Sequence, residues 1–269
     1  MPRRAYVGID VACAKKKRLP LIVCVLEDGR LEPLRLRECG TKPPSGEGNL
    51  KALDHESRER FALATVAYLR DIELTFNARI ECIAIDAPSA PASEACAGRR
   101  CEISLSNAGL SYFKTPSQGQ FDEIAEKVRE HVRSGGRESH LPHAQQLWML
   151  VGFALFKSLS KCWECIEVFP HAIVHALGVA GEHKTSEAGY WSQLAAVARN
   201  TRTDPESLNA ALTAAGFGSR HDRLDAYLSA WVASLDPQDR ETHGIPPDDA
   251  IWVPKQQFLK LEPRMLVPG

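Results

Sequence analysis

Short apolar runs closed by turn residues alternate with amphipathic stretches along most of the chain, a pattern that predicts strands and helices built around one sheet. Residues 6–11 predict a buried strand and residues 20–27 a second, joined through the polar segment 14–18 as a hairpin. Asp28-Gly29 is a two-residue turn signal leading to a third strand over 31–38, where Leu34 and Leu36 alternate with arginines. Residues 40–48, rich in Gly, Pro and Ser, read as a loop. Asp54 is a fair N-cap for a helix over 54–71, in which Phe61, Ala64, Tyr68 and Leu69 make one apolar stripe. A fourth buried strand covers 79–85 and ends at Asp86-Ala87-Pro88.

Residues 89–142 lack clear periodicity apart from a small helix near 121–132, and are expected to form an insertion, a lid or a substrate-binding flap. A strongly apolar helix follows over 145–159, then a strand over 162–169 closed by Pro170. Helical patches cover 171–177, 189–200 and 204–215, a last long helix covers 222–235, and a short strand covers 250–254. This order predicts an α/β fold with a mixed five-stranded sheet flanked by helices, the insertion after the fourth strand and extra C-terminal helices, in one domain over 1–269. Parallel neighbours need a crossover, so the first and fourth strands are expected side by side and parallel, which is the layout of the RNase H-like fold.

Composition narrows the field without pointing to a function. Hydrophobic residues at 44% and charged residues at 25% are ordinary for a globular chain of 269 residues. A net charge of -1 excludes a global basic field, so a polyanion has to be met by a local patch. No apolar run approaches the roughly 18–20 residues of a membrane span, and residues 1–7 run into strand-like sequence without a signal-peptide core. A cytoplasmic protein is therefore expected. Its eight cysteines are then thiols, mostly buried or half-buried; Cys162 and Cys165 have the spacing of half a zinc site or a redox motif, but within a strand they would face opposite ways.

The chemistry lies in acids at the edges of apolar segments, where an unpaired charge is costly. Asp10 closes Tyr-Val-Gly-Ile and Asp86 closes Ile-Ala-Ile; on neighbouring parallel strands the two carboxylates can share one cation. Asp222 and Asp225 share one helical face, while Leu224, Leu228 and Trp231 supply an apolar face that can dock the helix across the sheet. Such a cluster raises its own pKa values, and Mg²⁺ or Mn²⁺ would relieve the repulsion and support phosphodiester hydrolysis. Each acid also has a plainer role as a turn, strand exit or helix cap. It is their combination, in order, that points to a metal site.

Further candidates are Glu167, late in a strand that can border the same site or face solvent, and His171 and His175, spaced for one helix face as ligands or as packing residues. His221 can orient a water or phosphate, or cap the last helix. Lys15, Lys16, Lys17 and Arg18 follow Asp10 and can meet a phosphate backbone or form a solvated turn; Arg99 and Arg100 carry the same two readings.

These motifs resemble the family known as domain of unknown function 429, predicted RNase H-like nucleases. The resemblance rests on Gly8-Ile9-Asp10, Ile85-Asp86-Ala87-Pro88, Glu167-Val168-Phe169-Pro170, His221-Asp222-x-x-Asp225-Ala226 and Ile251-Trp252-Val253-Pro254. It implies an RNase H-like core, a nucleic-acid substrate and nuclease chemistry through Asp10, Asp86, Glu167 and Asp222 or Asp225. The last helix also looks like that of RuvC-type Holliday junction resolvases. One departure is that Lys15 to Pro20 stands where the family places a tryptophan after the first acid. Two rival functions remain: a non-catalytic nucleic-acid or protein-binding module, and an ATP-dependent phosphotransferase of the actin/sugar-kinase type, for which residues 11–15 lack the glycine-rich phosphate loop.

Overall fold

Seven strands form one mixed sheet and not the expected five: the short strand over 250–254 joins it, together with one strand the apolar pattern does not predict. They are seen in a computed structural model that describes residues 1–256 apart from 97 and 248. β1 (Arg3–Asp10), β2 (Leu21–Glu27) and β3 (Arg30–Pro33) form an antiparallel meander. Asp28 and Gly29 both take left-handed φ, as the tight turn between β2 and β3 requires. β3 stops at Pro33 and not near residue 38, because proline cannot donate to the ladder; Leu36–Glu38 turns as a 3₁₀ helix and still buries Leu36.

Helix α1 (His55–Thr75), whose N-cap Asp54 accepts from the Ser57 N–H, crosses back to β4 (Ala78–Asp86). β4 lies beside β1 and parallel to it, with Asp10 and Asp86 as register partners. After α2 (Arg100–Asn107), α3 (Gln118–Arg133) and α4 (Ala144–Leu159), β5 (Glu164–Val168) joins β4 in parallel. Then come α5 (Pro170–Ala176), α6 (Glu187–Asn200), α7 (Pro205–Ala215) and α8 (Arg220–Ser234). β6 (Arg240–Ile245) and β7 (Asp249–Pro254) complete the order β3-β2-β1-β4-β5-β7-β6.

The central strands are buried on both faces, so their side chains alternate between two cores. Val7, Ile9, Ile83 and Ile85 meet α1, α3 and α4, whereas Tyr6, Cys82 and Ala84 meet α5 to α8. Residues 89–142 contribute to both cores: Phe121 and Val128 of α3 join the first, with Phe121 edge-on to Phe153, and Cys101 and Leu105 of α2 join the second. No helix among the described residues is long and apolar enough to cross a membrane.

Gly8 explains how α8 reaches the strand ends. A Cβ at this position would run into the Ala226 carbonyl oxygen and the Ala230 amide nitrogen, so only glycine lets the helix backbone rest on β1. Gly8→Ala is expected to cost about 1–3 kcal/mol as an overpacked core site, read by urea unfolding. A variant as stable as wild type would show that α8 does not sit this close.

Candidate functional site

Asp10 and Asp86 end adjacent parallel strands in register, so their backbones are about 4.8 Å apart and the carboxylates share one rim of the sheet. Both keep some surface open to a cavity at that rim, yet protein surrounds them closely enough to solvate charge poorly. Burial, with Asp225 and Asp222 adding repulsion, pushes the Asp10 carboxyl up to about 8; Lys184 and Lys17 offset part of this. Asp86 is held well above its ordinary range by burial and then by Asp10 and Asp225.

Helix α8 lies across β1 and β4 and brings its acids to the same rim. Asp225 is only 3% exposed. Its Oδ2 accepts from the Lys184 ammonium, reached from the segment between α5 and α6. Burial raises the Asp225 carboxyl and Lys184 counters it. Burial alone would lower Lys184, but Asp225, aided by the charges of Asp10 and Asp86, holds the ammonium above its usual value. Asp222 has a different task. Its Oδ2 accepts from the Ser219 N–H at 2.6 Å while its own N–H donates to Ser219 Oγ at 3.3 Å, a capping box that starts α8. Lys17 Nζ lies 3.1 Å from the same oxygen. Burial opposes its charge, but Ser219 and Lys17 prevail and the carboxyl sits below its ordinary value.

Glu167 is 6% exposed, and both its oxygens are taken by Arg99, at 2.7 Å each, with the Ser89 N–H at 2.9 Å. Arg99, equally buried, also approaches Asp249 at 3.5 Å. Asp249 accepts the Arg100 and Cys101 amides at the start of α2. Arg99 is therefore a brace between strands and helix, and it also lines the cavity beside Asp10 and Asp86. Of the remaining cations, Arg18 donates to the Pro43 carbonyl, whereas Lys15, Lys16 and Arg100 point outward. Lys15, Lys16 and Arg18 border a second recess with Lys51, Glu47 and Glu138. His171 is exposed and edge-on to Phe169, and its imidazole is lowered first by desolvation and then by His175, Lys184 and His183. Cys162 is exposed ahead of β5 and Cys165 half-buried within it, and every cysteine among the described residues is unpaired.

The tertiary structure thus brings Asp10, Asp86 and Asp225 together but not as a cage of four open acids. Asp222 and Asp225 are paired with lysines and Glu167 with arginine. Among the described residues no three His, Cys, Asp or Glu side chains are grouped to hold an ion as they stand. Lys184 was not legible from sequence, being one lysine in a polar connection. The same holds for Glu102, Tyr112, Phe113 and Trp148, which line the cavity together with Asp10 and Asp86.

The order of motifs along this site can be compared with known proteins. A family model described as a protein of unknown function (DUF429) matches residues 8–250. The chain belongs to that family. The match runs from Gly8 beneath α8 to Ala250 in β7, so it includes every acid of the rim. No curated protein and no solved structure matches the chain.

The raised Asp10 carboxyl has a consequence for stability. A carboxyl raised by folding contributes its full stability below 3.8, where both states are protonated, and loses it as pH climbs towards about 8, because the unfolded chain ionises there first. Cation-free protein is thus expected to melt lower at about pH 8.5 than at about pH 5, and Asp10→Asn to flatten that slope. Identical slopes in wild type and variant would mean that Asp10 is ionised throughout.

Proposed function

We propose that this protein is a divalent-metal-dependent nuclease on an RNase H-like fold, hydrolysing phosphodiester bonds of DNA or RNA. The observation that carries the reading is the register pairing of Asp10 with Asp86 at the ends of parallel strands, with Asp225 of α8 near enough to repel both. Two half-buried carboxylates that repel one another are a poor arrangement for a structural site and a good one for a cation. Mg²⁺ typically takes one or two protein carboxylates and leaves its other positions to water and substrate phosphate. The donor set fits that pattern, with Asp10 and Asp86 as the ligands. When bound, Mg²⁺ or Mn²⁺ would supply phosphoryl polarisation and a more acidic water.

The chain's own residues do the rest. Asp225 fixes Lys184 at the rim, where its ammonium can neutralise phosphate charge. Asp222 anchors α8 and Lys17, while Lys15 and Lys16, exposed at the second recess, can follow a phosphate backbone that runs on from the rim. Glu167, held by Arg99, keeps the β4 and β5 ends in place. The proposed location is cytoplasmic, on the grounds of the sequence alone.

One observation favours a second reading, a non-catalytic nucleic-acid-binding module: Lys184 already neutralises part of the acidic rim. Calorimetric titration with Mn²⁺, alongside cleavage of single-stranded, duplex and junction DNA and RNA, separates the two. The nuclease reading expects one bound ion, tighter binding in Lys184→Met because a competing charge is gone, and slower cleavage in that variant. A folded protein that gives no Mn²⁺ heat and no cleavage, yet still binds oligonucleotides, supports the module and sinks the nuclease.

A further inference from the structure

A cavity of about 290 Å³ opens beside Asp10 and Asp86, and its walls are unlike the acidic rim. Aromatic rings enter it from three separate elements: Tyr112 and Phe113 from the segment after α2, Trp148 from α4 and Phe169 from the end of β5. The Trp148 indole N–H donates to the Gln145 carbonyl at 2.8 Å, which steadies the ring. Phe113 is 61% exposed at this cavity, an apolar surface that water leaves unsatisfied.

A second, independent observation is Glu102, which lines the same cavity and is 3% exposed. Its Oε1 accepts the Thr115 N–H at 2.8 Å, whereas Oε2 is buried with no hydrogen-bond partner. A buried carboxylate oxygen without a donor is costly unless a ligand supplies one.

We propose that this cavity takes a single unstacked nucleobase bearing an exocyclic amino group, with its phosphate lying at Asp10 and Asp86. The inference rests on the nuclease reading for the phosphate, and adds the substrate class: single-stranded nucleic acid, or a base extruded from a duplex. Every base offers a flat face to aromatic walls, which is how proteins hold single strands. A cavity near the roughly 300 Å³ lower end of ligand pockets suits one heteroaromatic base; a paired and stacked base cannot enter it. The amino group of cytosine, adenine or guanine can donate to Glu102, as carboxylates commonly accept from cytosine N4. Thymine and uracil have no such amino group.

The test is fluorescence anisotropy of short labelled oligonucleotides with the full-length protein, with Ca²⁺ replacing Mg²⁺ and cleavage measured separately in Mn²⁺. Wild type is expected to bind oligo-dC more tightly than oligo-dT, and both more tightly than blunt duplex of equal length. Trp148→Ala should weaken single-strand binding roughly tenfold or more, the loss of one base–aromatic stack. Phe113→Ser tests the same wall at an exposed position, where a substitution usually changes stability by no more than about 0.5 kcal/mol, and Glu102→Gln should abolish the dC preference. Duplex binding as tight as single strand, unchanged affinity in both aromatic variants, or equal affinity for dC and dT would each overturn the proposal. Asp10-dependent cleavage of duplex with no single-strand preference would overturn it while leaving the nuclease reading intact. Tight, Trp148-dependent binding without cleavage of any substrate would support the pocket and count against the nuclease.

Discussion

Replacing Asp86 by asparagine is expected to remove metal-dependent cleavage and, at the same time, to make the cation-free protein more stable. Asparagine keeps the shape of the side chain and removes the charge that burial, Asp10 and Asp225 all oppose. The activity loss should be at least about 100-fold, the upper end of what changes in the outer shell of a metal site cost. The stability gain should appear as a raised melting temperature in chelator at alkaline pH, by about 2–4 °C for each kcal/mol relieved in a protein of this size. The two readouts moving in opposite directions is the signature of a functional cluster that the fold holds together at a cost. Retained cleavage in a folded Asp86→Asn protein would place the chemistry elsewhere. A lower melting temperature would mean that the carboxylate is a structural acceptor.

The second large effect is expected at Arg99, a residue whose sequence context suggests a phosphate contact. Arg99→Met leaves the Glu167 carboxylate at the junction of β4, β5 and α2 with only the Ser89 amide, and takes a cation from Asp249. Removing one member of such a buried pair typically costs about 3–5 kcal/mol, because the other charge stays where water cannot reach it. Urea unfolding of Arg99→Met should show that loss. The double variant Arg99→Met with Glu167→Met should recover a large part of it, since two apolar side chains leave no uncompensated charge. A single variant within about 0.5 kcal/mol of wild type would return Arg99 to the surface-cation class.

Much of the scaffold was legible because its signals are local. The apolar runs of β1, β2 and β4, the Asp28-Gly29 turn, the Asp54 cap of α1 and the apolar face of α8 each lie within a few residues of the feature they specify. Two elements escaped for the opposite reason. β6 has the sequence Arg-Glu-Thr-His-Gly-Ile, with little apolar alternation; it is held by pairing with β7, while Arg240 donates to the last carbonyls of α8. The first amides of α2 are satisfied by Asp249, which lies 148 or 149 residues further along the chain.

The same division runs through the site. Sequence alone determined which acids end the strands and that α8 carries two more on one face, because side-chain period and strand termini are properties of neighbouring residues. Only the tertiary structure decided their partners: Lys184 on Asp225, Lys17 on Asp222, Arg99 on Glu167. Charge pairing depends on distance in space and on how much water is excluded, and neither is written in the spacing of residues along the chain. For that reason four aspartates of similar standing in sequence became two carboxylates at the cavity rim, one lysine holder and one helix cap.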